Sequence, residues 1–329
     1  MLQEKLLYLL EQSKGQLITG GELAKALGVS RTAIWKGINT LREKGHEIEA
    51  LPNSGYRLLA GSDGLSRQSI ADALKTEKIG QSLVLLDTVD STNAYLKALD
   101  TALLPDGHTV IANEQTQGRG RLGRTFHSPA GQGIYLSVLL RPQIALEEVP
   151  LLTVCAALAV YRAIGQVCGL ETHIKWVNDI FYEGKKLCGI LTEGLISAEM
   201  GTVESVVVGI GVNTGAVAEE VESIAATLAP LRAGRGIRNQ LAAEILNQLE
   251  AVVLDFLSGK RQEILEAYTQ RLFIIGKEIV VHLPRESFEA TAVGLDDAGS
   301  LLVRNRQGQT VAVRAGEVSL SPLTDTTKP

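Results

Sequence analysis

Very little in this sequence marks an exported, metal-built or membrane-embedded protein. Of its 329 residues only three are cysteine, Cys155, Cys168 and Cys188, an odd number without C-x-x-C spacing. Neither a disulfide framework nor a zinc site is favoured. The five histidines are scattered and no H-E-x-x-H occurs, which leaves out the zincin pattern. No run of about 18 uncharged apolar residues is present, and Glu4 and Lys5 stand where a signal peptide would be apolar. A cytoplasmic protein without a membrane partner is expected. Internal repeats are absent too, and the only low-complexity stretch is the polar tail Thr324 to Pro329, so solenoid arrays are excluded. What remains is 45% apolar and 21% charged, an ordinary globular balance in a chain with room for more than one domain.

Neither sign of charge dominates, since 32 Lys+Arg against 37 Asp+Glu give a net −5. Residues 1–60 nevertheless stand at +2 and the remainder at −7, the asymmetry expected when one end meets nucleic acid and the other small molecules. The basic end has matching periodicity. Leu2, Leu6, Leu9 and Leu10 fall at helical spacing, a short helix fits Gly21 to Leu27, and Ser30 is an N-cap for a helix from Arg31 to Lys44 closed by Gly45. Two strands, His46 to Ala50 and Gly55 to Leu59, follow around Pro52 and Asn53. This is the order of a winged helix-turn-helix. At 100° per residue Ile34, Ile38 and Leu41 face a core, while Arg31 at the helix start and Thr32, Trp35, Lys36 and Asn39 on the other face are placed to meet a major groove. A small helical bundle used for protein contacts is the alternative.

The Gly/Ser-rich joint Ala60 to Gly64 suggests a boundary near residue 62. Beyond it, helices are expected at 66–75, 91–103, 148–167 and 237–257, with strands near 83–88, 108–114, 133–141, 172–177, 186–196 and 203–212. The last two are joined by a turn at Met200-Gly201, so the sheet is partly antiparallel and the class is α+β. From about residue 276 only short strands with tight turns occur, the pattern of a small SH3-like β-barrel. The expected organisation is therefore multidomain: 1–62 winged helix-turn-helix, 63–273 a central mixed-sheet body, 274–329 a C-terminal barrel.

The densest chemical signal is Gly118-Arg119-Gly120-Arg121-Leu122-Gly123-Arg124. It contains G-x-G-x-x-G, but a dinucleotide fold needs a helix after the glycines, and here they lead into the strand-like Ile134 to Leu140. Three arginines among glycines make instead a flexible cationic loop able to fold over an anion. Around it stand Asp90-Ser91-Thr92-Asn93, Asn113-Glu114-Gln115, Lys175-Trp176-Val177-Asn178-Asp179, Lys186-Leu187-Cys188-Gly189-Ile190-Leu191 and Gly209-Ile210-Gly211-Val212-Asn213.

Together and in this order, these segments resemble the biotin protein ligases, and with the N-terminal winged helix they resemble the bifunctional ligase and biotin operon repressors of bacteria. The likeness runs over nearly the whole chain; Val177 stands where the family's K-W-P-N-D has proline. The resemblance implies that Ser91, Thr92, Asn93, Gln115, Arg119, Gly120, Arg121 and Lys186 hold biotin, and that Arg121, Lys175, Trp176, Asn178 and Asn213 meet the nucleotide. It implies biotin and ATP as substrates, biotinyl-5′-AMP as intermediate, a biotin carboxyl carrier protein as acceptor, operator DNA as a further partner, and a homodimer when the adenylate is bound. Arg121 and Lys186 are the expected catalytic cations, and Asn178 and Asp179 the expected contacts for Mg²⁺ carried on ATP. A neutral ureido ring wants hydroxyls and amides, which the 91–93 and 115 positions supply. The alternatives are a biotin sensor without catalysis, a lipoate or octanoate ligase, and a ligase whose N-terminal domain binds no DNA.

Overall fold

The computed structural model describes residues 2–52, 54–196, 203–232 and 236–320. Helices α1 (Leu2–Gln12), α2 (Gly20–Leu27) and α3 (Arg31–Glu43) open the chain, followed by the hairpin β1 (Ile48–Leu51) and β2 (Gly55–Leu58). Local chemistry sets their starts. Thr19 and Glu22 form a reciprocal capping box on α2, and Ser30 Oγ accepts the Ala33 N–H at 3.2 Å on α3. Leu6, Leu10, Leu23, Ile34, Ile38 and Leu41 close into a core of their own. The face predicted to look outward does so: Arg31, Thr32, Trp35 and Lys36 are exposed and Asn39 is half-buried.

The body contains α4 (Arg67–Ala73), β3 (Leu83–Val89), α5 (Thr92–Ala98), β4 (Thr109–Gln115), β5 (Gly133–Leu140), α6 (Val149–Cys168), β6 (His173–Lys175), β7 (Asp179–Tyr182), β8 (Lys185–Ile196), β9 (Val203–Asn213), α7 (Ala229–Arg232), α8 (Arg238–Leu257) and α9 (Arg261–Thr269). Its sheet runs β3-β4-β5-β9-β8-β7-β6, with β3 and β4 parallel and every other pair antiparallel. The mixed α+β expectation holds. Differences lie at element ends: the helix expected over 91–103 stops at Ala98, where Asp100 caps a separate short turn at Thr101–Leu103 through the Ala102 N–H. Strand β7 and helices α7 and α9 lie outside the expected elements.

Period-2 alternation sorts the central strands into two faces. On β9, Val206, Val208, Ile210 and Val212 join the main core under α6 and α8, whereas Gly209, Gly211 and Asn213 border a cavity on the other side. On β5, Ile134, Leu136 and Val138 likewise face that core. Each such fully buried aliphatic contributes about 1.5–3 kcal/mol by transfer. Helix α6 is long and apolar enough by composition to cross a membrane, but it is the buried core helix of this body.

The C-terminal strands β10 (Glu278–His282), β11 (Ser287–Leu295), β12 (Leu301–Asn305), β13 (Thr310–Val313) and β14 (Glu317–Leu320) form one antiparallel sheet ordered β13-β12-β11-β10-β14. The order suits the expected SH3-like unit, and among the described residues the sheet is open between β13 and β14.

The joint between head and body is buried, despite its linker-like composition. Ser62 Oγ accepts the Glu47 N–H at 3.0 Å, Lys14 Nζ donates to the Ser62 carbonyl at 3.2 Å, and Lys44 pairs with Asp87 at 2.8 Å. Arg238, 2% exposed, is the bolt. Its backbone N–H meets Asp63 Oδ1 at 2.7 Å, and its guanidinium donates to the Asp63 and Gly133 carbonyls and to Asn113 Oδ1. His46 is buried against Gly64 beside it.

Candidate active site

Helix α5 begins at the floor of the cleft. Ser91 is its N-cap, and Ser91, Thr92 and Asn93 are all buried. The end of β4 faces them: Gln115 Oε1 accepts the Thr92 N–H at 2.9 Å, and Gln115 Nε2 donates to Ser128 Oγ at 2.9 Å. Asn93 Nδ2 donates to Glu193 Oε2 at 2.7 Å and to the Leu191 carbonyl at 3.2 Å. Ser137 Oγ lies 2.6 Å from Asn93 Oδ1 and 2.7 Å from Thr92 Oγ1. The glycines of β9 have a steric reason: a Cβ on Gly209 would lie 2.2 Å from Asn93 Oδ1, and one on Gly211 2.6 Å from the Phe126 ring.

After Gln115 the arginine-rich segment folds back on itself. The Gly120 N–H donates to the Arg124 carbonyl at 2.7 Å and the Phe126 N–H to the Gly118 carbonyl at 2.9 Å, with Leu122 exposed at the tip. Arg121 reaches across the cleft, donating to Asn178 Oδ1 and to the Gly316 carbonyl at 3.2 Å each. Arg124 pairs with Glu317 at 2.6 Å. The C-terminal sheet therefore supplies partners to the loop.

The opposite wall comes from the 175–186 region. Lys186 Nζ pairs with Asp179 Oδ1 at 2.7 Å. Burial lowers the Lys175 pKa from its ordinary value, opposed by the nearby carboxylates of Asp179 and Glu317. Trp176 is buried and its Nε1 donates to the Gly299 carbonyl at 3.1 Å; the Trp176–Val177 peptide bond is cis, and the Tyr268 hydroxyl donates to the Val177 carbonyl at 2.8 Å. Asn178 Nδ2 donates to the Ile190 carbonyl at 2.8 Å, and Asn213 Nδ2 to that of Ala226 at 3.1 Å.

All thirteen residues singled out for biotin, nucleotide or Mg²⁺, from Ser91 to Asn213, border one cavity of about 280 Å³. The DNA-directed set on α3 lies apart, on the exposed face of the head. Sequence reasoning missed Phe126, Gln132, Tyr135 and Glu317, which also border the cavity, and Ser137, which bonds its floor. Ser137 carried a signal: it is the only aliphatic hydroxyl in the otherwise largely apolar run Gly133–Leu140.

The donor set suits a metal that arrives with its substrate. Both amide atoms of Asn178 are already engaged, by Arg121 and Ile190, which leaves the Asp179 carboxylate as the anionic oxygen of the pair. Among the described residues no group of three His, Cys, Asp or Glu side chains is placed to hold an ion alone. An ion completing its shell with polyphosphate and water needs no more than that.

A winged head, a mixed-sheet body with one polar and cationic cleft, and an SH3-like tail define a ligase-type fold joined to a DNA-binding-type domain. Residues 85–213 match the model of the biotin/lipoate A/B protein ligase family, residues 2–57 an HTH domain, and residues 274–321 the biotin protein ligase C terminal domain. The chain is 37% identical to the bifunctional ligase/repressor BirA of Bacillus subtilis (strain 168), covering 93% of this chain and 95% of that one. It is 32% identical to the protein of that description in Escherichia coli (strain K12), covering 94% of each. The structure of the biotin protein ligase from Aquifex aeolicus in complex with biotin and ATP superposes with a TM-score of 0.64 at 28% identity, over 73% of this chain and 99% of that chain. The chain belongs to the biotin/lipoate A/B protein ligase family.

Proposed function

We propose that the chain is a biotin protein ligase that also acts as a biotinyl-5′-AMP-dependent repressor of biotin synthesis genes. The observation that carries this is the meeting, in one cavity, of a neutral floor made by Ser91, Thr92, Asn93 and Gln115 with a cationic rim made by Arg119, Arg121, Lys175 and Lys186. A cyclic urea has both donors and an acceptor but no charge, so it suits the floor; a carboxylate and a polyphosphate suit the rim.

In the first step a biotin carboxylate oxygen attacks the α-phosphorus of ATP and pyrophosphate leaves, giving the mixed anhydride biotinyl-5′-AMP. The carboxylate is already ionised at neutral pH, so no general base is needed; what is needed is positive charge against the phosphoryl transition state and alignment. Arg121 and Lys186 supply the charge, Arg119 and Gly120 close over the acid, and Lys175, Trp176, Asn178 and Asn213 line the nucleotide side. Asp179 would hold Mg²⁺ carried in on ATP, and the ion would supply positive charge against the polyphosphate. In the second step a lysine amine of a biotin carboxyl carrier protein attacks the biotinyl carbonyl and AMP leaves.

Regulation follows from two surfaces. Strand β7 pairs with β8 only over 185–189 and Asn178 and Asn93 occupy the backbone at 190–191, so the outer side of residues 192–196 carries no strand partner among the described residues. Such an edge accepts a strand from the carrier or from a second copy, and the two compete. A homodimer stabilised by the adenylate presents two winged helices to a two-fold operator, each reading DNA with Arg31, Thr32, Trp35, Lys36 and Asn39. Domain boundaries near 62 and 273, and action in the cytoplasm, complete the proposal.

The test is incubation with biotin, MgATP and an apo carrier domain, following the carrier's mass, with Arg121→Ala and Lys186→Ala in parallel. Transfer by the parent alone supports the ligase and both cation roles. Biotin binding without transfer points instead to a sensor that only regulates.

A further inference from the structure

Glu193 stands outside the cavity, yet the hydrogen bonds of the floor end on it. Asn93 Nδ2 faces two groups that only accept, Glu193 Oε2 at 2.7 Å and the Leu191 carbonyl at 3.2 Å. The amide can therefore sit only one way round, with Oδ1 towards Ser137. At 2.6 Å from an oxygen that only accepts, Ser137 must give its single hydroxyl proton to Asn93 Oδ1. The 2.7 Å contact between Ser137 Oγ and Thr92 Oγ1 then takes the Thr92 hydroxyl proton in preference to the longer 3.1 Å contact from Thr92 Oγ1 to Gln115 Oε1, an oxygen already served by the Thr92 N–H. Proton order thus runs from Thr92 to Ser137 to Asn93 to Glu193.

The consequence appears at the cavity surface. Thr92 Oγ1 has spent its proton inward and turns only lone pairs outward. Gln115 is oriented the same way: its Nε2 donates to Ser128 Oγ, whose own proton goes to the Phe126 carbonyl, so Gln115 Oε1 faces Thr92 and the cleft as an acceptor. Lys97 pairs with the other Glu193 oxygen, Oε1, and holds the terminus anionic.

We propose that Glu193 is a positioning residue for biotin, the anionic terminus of a hydrogen-bond chain that fixes Thr92, beside the separately oriented Gln115, as an acceptor for a ring N–H group of a cyclic urea. This rests on the biotin assignment above. Replacing the carboxylate by an amide supplies a donor as well as an acceptor, so Asn93 is free to turn over and the chain to reverse, which would aim a Thr92 hydroxyl proton at a substrate N–H.

The test compares the parent with Glu193→Asp, Glu193→Gln and Lys97→Met, titrating each with biotin, with ATP, and with the cyclic carbamate analogue of biotin in which one ring N–H is an oxygen. Thermal unfolding is recorded alongside. Glu193→Gln is expected to weaken biotin about tenfold while leaving ATP affinity within about twofold. The parent's preference for biotin over the carbamate is expected to shrink in Glu193→Gln and to return in part with Glu193→Asp, a pattern that simple loosening of the fold does not produce. Lys97→Met falls between. Unchanged biotin affinity and unchanged preference in Glu193→Gln overturn the inference, as does a parallel loss of biotin, ATP and thermal stability. If the parent itself binds no biotin, the proposed function falls as well, so the two failures are told apart.

Discussion

The two ends of the cleft are built on opposite plans. At the floor, Ser91, Thr92 and Asn93 are buried, uncharged and bonded to one another's neighbours through short contacts. At the rim, Arg121, Arg124 and Lys186 are partly or largely open to solvent and rest on Asn178, Gly316, Glu317 and Asp179. A preformed polar floor costs little further ordering when a neutral head group binds, whereas a cation parked on a protein partner can be handed to a phosphate as charge arrives. One end selects and the other end reacts.

The strongest way to break that division is at the rim. Lys186→Ala is expected to lower adenylation, read as pyrophosphate release, by about 100- to 1,000-fold, far more than it weakens biotin, whose carboxylate the rim also meets; a loss confined to biotin affinity would erase the distinction. A second held region, the head-to-body joint, offers a pH test. Burial, with help from Lys44, Arg238 and Lys14, pushes the His46 pKa down to about 4. Between that value and the ordinary 6.5 the unfolded chain binds a proton that the folded chain refuses. Stability is therefore full above the unfolded pKa and falls as pH drops towards the folded one, by about 3 kcal/mol in all. Denaturant titrations from pH 7 to 4 should show this slope, and His46→Gln should flatten it.

Smaller effects sharpen the picture at the floor. Gly209→Ala forces a methyl onto Asn93 Oδ1, which the hydrogen-bond chain holds in place; about 1–3 kcal/mol of stability should be lost, with biotin affinity suffering before ATP affinity. Smallest of all is Arg124→Ala, which removes a largely exposed pair with Glu317. Urea unfolding should move by no more than about 0.5 kcal/mol, and a larger shift would mean that the rim is as rigidly held as the floor.

What the sequence disclosed about this molecule was local. Ser30 before a helical run, the face carrying Ile34, Ile38 and Leu41, and the clustering of glycine with arginine at 118–124 are readable within a few residues, and each reappears in the fold. Helix α9 and strand β7 escaped because short, partly polar segments take their form from what they pack on. The thirteen cleft residues were chosen by motif, and the structure adds why they can meet: alternation along β9 puts Gly209, Gly211 and Asn213 on one face. Glu193 lies beyond such reasoning. Its bond to Asn93 spans a sequence separation of 100 residues, and its importance lies in proton direction, which no single position encodes.

Arg238 turns what composition describes as a tether into a caliper. With Asp63 bolted to Gly133 and Asn113, the head has no slack with which to hunt for DNA. In the proposed dimer the distance and rotation between recognition helices are then set by the ligase bodies, and the operator must match them. One base pair inserted between half-sites adds about 3.4 Å and about 34° of rotation, so binding should tolerate changes of base at the centre of the operator far better than any change in its length.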